Sequence, residues 1–147
     1  MFTIHHQVGI RAEPIKVYKA LTTGIRGWWT KQVDGSPQKE GSLFGLGFTN
    51  TKMEMKVDKL EPCQLVRWQC LESHRLWQDT FITFSLSNDS EHNQTLVDFQ
   101  HSDWQEDSSL FCHCSTKWAV FLLSLKDLLE KGQGHPHPND ILINHNE

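Results

Sequence analysis

At 147 residues the chain is long enough to form one domain with a real core. A net charge of -4 without any basic run excludes nucleic acid or an anionic membrane surface as the main partner. No apolar stretch reaches the roughly 20 residues that span a bilayer, and Met1 to His6 lacks the pattern of a signal peptide, so a cytoplasmic protein is expected. Four cysteines (Cys63, Cys70, Cys112, Cys114) then read as reduced thiols. Six tryptophans and eight phenylalanines supply aromatic surface for a core or for an apolar pocket.

Phe2 to Arg11 alternates, with Ile4, His6, Val8 and Ile10 on one side, and predicts a half-buried strand. Pro14 opens a short helix at the position where its missing N–H costs nothing; Ile15, Tyr18, Ala20 and Leu21 are its expected packing residues. Thr22-Thr23 predicts the cap of a second short helix that ends at Trp28-Trp29. Thr30 to Gly41, with Asp34-Gly35-Ser36-Pro37, predicts a loop.

A meander of antiparallel strands follows. Ser42 to Phe48 places Phe44, Leu46 and Phe48 on one face. Lys52 to Leu60 places Met53, Met55 and Val57 inward, and Glu61-Pro62 turns the chain. Leu65 to Leu71 turns Val66, Trp68 and Cys70 inward; Thr80 to Ser87 does so with Ile82, Phe84 and Leu86. Gln94 to Ser102 does so with Val97, Phe99 and His101, before a loop at Asp103-Trp104.

Phe111, Cys114, Trp118, Phe121, Leu122, Leu125, Leu128 and Leu129 then recur at steps of three and four, the period of a helix. Ser108 or Ser109 offers a cap and Gly132 a left-handed end. After Gly132 no periodic pattern remains. Residues 1–132 are expected to be one domain and 133–147 a mobile C-terminal tail. The alternating strands leave one wet and one apolar sheet face, and only the long helix carries enough apolar surface to cover the latter. The fold class is therefore α+β, with a curved antiparallel sheet wrapped around a long C-terminal helix.

The first strand, the run from Ala12-Glu13-Pro14 to Thr22, and Trp28-Trp29 resemble the start of the SRPBCC (START and birch-pollen-allergen-like) superfamily. Gly41 to Phe48, Leu60-Glu61-Pro62 into Val66-Arg67-Trp68, Thr80 to Phe84, Thr95 to Trp104, and Trp118 to Leu129 resemble its remaining elements. The likeness is greatest to the group related to the C-terminal domain of heat shock protein 90 ATPase activators. It implies a helix-grip fold. It also implies a hydrophobic or aromatic ligand between sheet and helix, polyketide cyclase or aromatase chemistry, or binding to a chaperone. The activators carry a further domain N-terminal to this one, whereas this sequence opens directly on the helix-grip pattern and is expected to act as an isolated domain.

Trp28, Trp29, Phe44, Phe48, Met53, Met55, Trp68, Phe84, Phe99, His101, Trp118 and Phe121 form the inward set: the lining of a ligand cavity, or a solid core. Since adjacent helical residues cannot both face the core, one of Trp28 and Trp29 is expected at the layer edge, as a lid. His101 is the one weak catalytic candidate: a ligand partner or general acid/base, or else a satisfied buried histidine near Asp103. His6 carries the same alternatives. Cys112-His113-Cys114 is not read as a metal site, because helical residues two apart point about 200° apart. No cofactor is implied by any motif. The expected function is a cytoplasmic binding protein for a small hydrophobic or aromatic molecule; the alternatives are a chaperone-interacting module and a cyclase- or hydratase-type enzyme using His101. A monomer or weak homodimer is expected.

Overall fold

The computed structural model describes residues 1–147. The strands are β1 (Phe2–Ile10), β2 (Gln32–Asp34), β3 (Leu43–Phe48), β4 (Thr51–Glu61), β5 (Leu65–Glu72), β6 (Phe81–Asp89) and β7 (Gln94–Trp104). They form one seven-stranded sheet in the order β1-β7-β6-β5-β4-β3-β2, with every pairing antiparallel. Helix α1 (Pro14–Thr22) and one turn of 3-10 helix (Ile25–Gly27) follow β1, and α2 (Ser109–Lys131) closes the fold. At about 1.5 Å per residue α2 is roughly 35 Å long, and it buries Cys114, Trp118, Phe121, Leu122 and Leu125. The expected α+β architecture is the observed one.

The register explains how the sheet bends around α2. On β4, Glu54 pairs with Glu72 but Met55 with Cys70, and Val57 with Trp68 but Lys59 with Arg67. Such irregularities bend and twist a strand. A third lies at the end of β7, where Ile4 faces His101 and Phe2 faces Trp104. Asp103 sits there at φ 70, a left-handed conformation that Asp tolerates better than most side chains. The extra residue reverses the alternation, so Trp104 is fully buried instead of lying in a loop.

Four local expectations are corrected. The second helix is a single 3-10 turn whose capping position is Gly24; Thr22 ends α1, and its hydroxyl donates back to the Tyr18 carbonyl at 3.0 Å. In α1 the buried face is Val17, Ala20, Leu21 and Thr22, while Ile15 is exposed. The predicted loop 30–41 holds the edge strand β2. Ser108 occupies the N-cap of α2, but its hydroxyl caps nothing. Gly132 ends α2 as expected, at φ 84, donating its N–H to the Leu128 carbonyl at 3.0 Å.

Candidate functional site: an aromatic layer between sheet and helix

The rings expected to face inward meet one another across the layer. Trp29 lies between Trp28 and Trp68, its ring 5.8 Å from the first and 5.7 Å from the second, with interplanar angles of 15° and 5°. Its flank meets Trp118 at 4.9 Å and Phe48 at 5.9 Å. Trp118 continues the cluster to Phe99 at 4.4 Å, and Phe99 to Phe84 at 5.2 Å. Phe44 packs edge-on against Trp68 at 5.3 Å. Met53, Met55 and Phe121 are buried in the same core, and Phe48 is half-buried.

Trp28 and Trp29 are both buried, at 0% and 2% exposure, so neither stands at an edge as a lid. The reason is local. The chain leaves the 3-10 turn at Trp28, with φ -137 and ψ -29, so the pair is not on a helix. Trp28 Nε1 donates to the Ala20 carbonyl at 2.9 Å, and Ser124 Oγ of α2 donates to the Trp28 carbonyl at 2.8 Å.

His101 lies at the other end of the layer. Trp118 Nε1 donates to its Nδ1 at 3.0 Å, which leaves Nε2 carrying the proton and donating to Thr80 Oγ1 at 2.8 Å. The Thr80 hydroxyl in turn donates to the Trp77 carbonyl at 2.5 Å. Trp77 and Trp104 box the ring at centroid distances of 4.6 and 4.8 Å. Burial pushes the imidazole pKa down to about 3, since charge is costly where water is excluded. Both nitrogens are thus occupied by protein groups and the ring is neutral at physiological pH. His6, half-buried, turns its Nε2 to the Ser115 carbonyl of α2 at 2.9 Å.

Trp77 and Trp104 are members of this layer that the sequence pattern did not mark. Trp104 was hidden by the phase change at Asp103; Trp77 lies in the irregular segment between β5 and β6. Two indole N–H groups, those of Trp68 and Trp104, are buried without an acceptor. Cys112 is exposed and Cys114 buried on α2, and all four cysteines are free thiols. An open surface trough of about 570 Å³ lies on the solvent face of β2 to β5. It runs over Gly45 and Gly47 and is rimmed by Gln32, Asp34, Lys52, Glu54 and Glu72.

A curved antiparallel sheet gripping a C-terminal helix through an aromatic layer defines a helix-grip protein of the SRPBCC superfamily. The model of the family "Activator of Hsp90 ATPase homolog 1-like protein" matches residues 11–130, and the chain belongs to that family. Among solved structures, the Aha1 dimer from Colwellia psychrerythraea is 44% identical, with a TM-score of 0.83, over 91% of this chain and all of that one. DynU16, from the dynemicin biosynthetic locus, is 18% identical with a TM-score of 0.75, over 90% of this chain and 48% of that one. CalU16 from Micromonospora echinospora is 17% identical with a TM-score of 0.70, over 88% and 77%; these two share the fold. Comparison with curated proteins gave no match. No helix is long and apolar enough to cross a membrane.

Proposed function

We propose that this chain is a chaperone-interacting module of the Aha type, working in the cytoplasm through its outer surface. The observation that carries this reading is the aromatic layer: Trp29, stacked between Trp28 and Trp68 and touching Trp118, fills the centre of the layer between sheet and helix, which favours recognition through the outer surface. Membership of the activator family and 44% identity to an Aha1 support the same direction. His101 has no catalytic part in it, since both of its nitrogens are engaged by Thr80 and Trp118. Self-association accords with the dimeric state of that Aha1. The test is to add the purified protein to the Hsp90-type chaperone of its own organism and follow ATP turnover. A saturable rise in turnover, with binding seen by calorimetry, is expected. No binding at tens of micromolar and unchanged turnover would remove the proposal.

One observation favours a second reading, a small hydrophobic or aromatic ligand. The Trp68 indole N–H has no acceptor at the centre of the layer, and an unpaired buried donor carries a desolvation cost of about 1–3 kcal/mol. An apolar molecule with one acceptor atom would relieve it. Native mass spectrometry of freshly purified protein tests this: a stoichiometric co-purifying small molecule supports the ligand reading, and its absence at native charge states removes it.

A further inference from the structure

Residues 133–147 leave α2 and run back over the body as an extended strap. Gly134 is buried where a Cβ would meet the carbonyls of Gly27 and, at 2.8 Å, Ser124. The His135 N–H donates to Ser124 Oγ at 2.7 Å and the His137 N–H to the Trp29 carbonyl at 2.8 Å. Lys31 returns a bond from its N–H to the His137 carbonyl at 3.2 Å, so that His137 forms a parallel β-bridge with Thr30. The His137 ring lies 5.3 Å from Phe48, and its Nε2 accepts the Thr49 N–H at 3.1 Å.

The second fastening is ionic. Lys117 on α2 is 11% exposed, with its ammonium 5.4 Å from the centre of the Phe121 ring. It binds Asp140, the Ile141 carbonyl at 2.8 Å and Glu147 at 2.8 Å, and all of these partners belong to the strap. A nearly buried ammonium needs a carboxylate partner, and the body of the fold gives Lys117 none. Among the strap's apolar side chains Pro136 is buried and Ile143 half-buried, whereas Ile141 and Leu142 are 68% and 64% exposed. Apolar burial therefore holds the strap at Pro136 and the His137 ring and little beyond them. His113 on α2 also meets Asn144 and Glu147, and Asp127 meets His135, at 3.3 to 3.9 Å. A segment fastened mainly by a few backbone bonds and polar side-chain contacts, with little apolar area buried, opens at a lower free energy than a central strand. The family match ends at residue 130, before the strap begins.

We propose that the surface beneath the strap, from Thr30 and Phe48 to Phe121 and Lys117, is a docking groove for an extended, carboxylate-bearing segment of a partner protein. Residues 133–147 occupy it in the free chain as an intramolecular competitor. The strap itself displays what the groove recognises: an extended backbone beside Thr30, a ring against Phe48, and carboxylates on Lys117 after a short spacing. Adding an extended segment by backbone pairing and placing its charged end on a fixed cation is a general mode of peptide recognition. The inference goes beyond the chaperone reading and does not rest on it.

The test uses the full-length protein and a fluorescein-labelled synthetic peptide of residues 133–147. In the wild type the tethered strap competes at an effective concentration on the order of millimolar. The double variant Asp140→Asn/Glu147→Gln loosens the strap and leaves the groove intact, so it should bind the peptide at least about tenfold more tightly than wild type. Adding Lys117→Met should abolish that gain. A measurement without variants stands beside it: in wild type the amides of His135 and His137 should exchange hydrogen at least about a hundredfold faster than that of Phe99. Equal peptide affinity in wild type and the double variant overturns the proposal. So does a strap whose amides exchange only as fast as the sheet core.

Discussion

His101 shows how one buried residue ties stability to pH. Its pKa is about 3 in the folded chain, against an ordinary value of 6.5, so the unfolded chain binds a proton that the folded chain refuses. Stability is therefore fully present above pH 6.5 and is lost as pH falls toward 3. One pKa unit is about 1.4 kcal/mol, so the loss approaches about 4 kcal/mol near pH 3. Below the ordinary carboxylate range Asp89, Glu130 and Glu147 add to it, because hydrogen-bond partners hold their pKa values down in the fold. Between pH 6.5 and 4.5 the slope should be His101's. Urea melts of His101→Gln, whose amide can still accept from Trp118 and donate to Thr80, should be nearly flat there, with wild type sloping. The thiols make a second prediction at this scale. Burial pushes Cys70 up to about 12 and Cys114 up to about 11, and thiolate is the reactive form. Ellman's reagent should modify exposed Cys112 rapidly and reach Cys70 and Cys114 only on unfolding. Alternation alone placed His101 inward. It did not disclose Trp104, because one positive-φ residue, Asp103, resets the phase of β7, nor Trp77, which lies in the irregular segment between β5 and β6.

Among the elements, α2 was the most legible, because a 3.6-residue period sustained over six turns has few alternative readings. The longer strands were legible from their two-residue alternation, whereas β2, only three residues long, was not. What failed were ends and short pieces: the hydroxyl of Ser108 satisfies no backbone group, and Thr22 bonds within α1. A cap depends on one rotamer, which the sequence does not state. Leu125, at 0% exposure on the gripping face, gives the stability test of α2. Leu125→Ala should cost about 2–5 kcal/mol in urea melts, since the packed layer cannot fully collapse on the void; a loss below about 1 kcal/mol would mean that the helix does not grip the sheet. Ser124 tests a different bond. Its hydroxyl donates to the Trp28 carbonyl and accepts from the His135 N–H, so it joins the helix, the tryptophan turn and the strap. Ser124→Ala should cost about 1–3 kcal/mol by leaving a buried carbonyl unpaired, whereas Ser124→Thr keeps the hydroxyl.

For the whole molecule, the question is whether the layer between sheet and helix is full. The sequence supplied nearly all its members, since inward positions of strands follow from alternation. It did not supply how they fit, because ring contacts across the layer join residues as far apart as Trp29 and Trp118. Nor did it supply the strap, whose bonds go to Trp29, Thr49, Lys117 and Ser124 and leave no periodic trace. Trp29 decides the matter, because its ring touches Trp28, Trp68, Trp118 and Phe48 at once. Trp29→Ala should cost about 3–5 kcal/mol and leave an apolar void lined by those rings. Such voids stay dry and take up apolar guests. An environment-sensitive apolar dye should therefore bind the variant, with a dissociation constant below about 1 mM, or roughly -4 kcal/mol, and should not bind wild type. Fluorescence titration of both proteins, each checked for folding by circular dichroism, separates the outcomes. Dye binding to wild type as tight as to Trp29→Ala would mean that the layer already holds open space, and the small-ligand reading would displace the chaperone one. Binding confined to the variant would mean that Trp29 stands where a ligand would otherwise lie, leaving recognition to the outer surface.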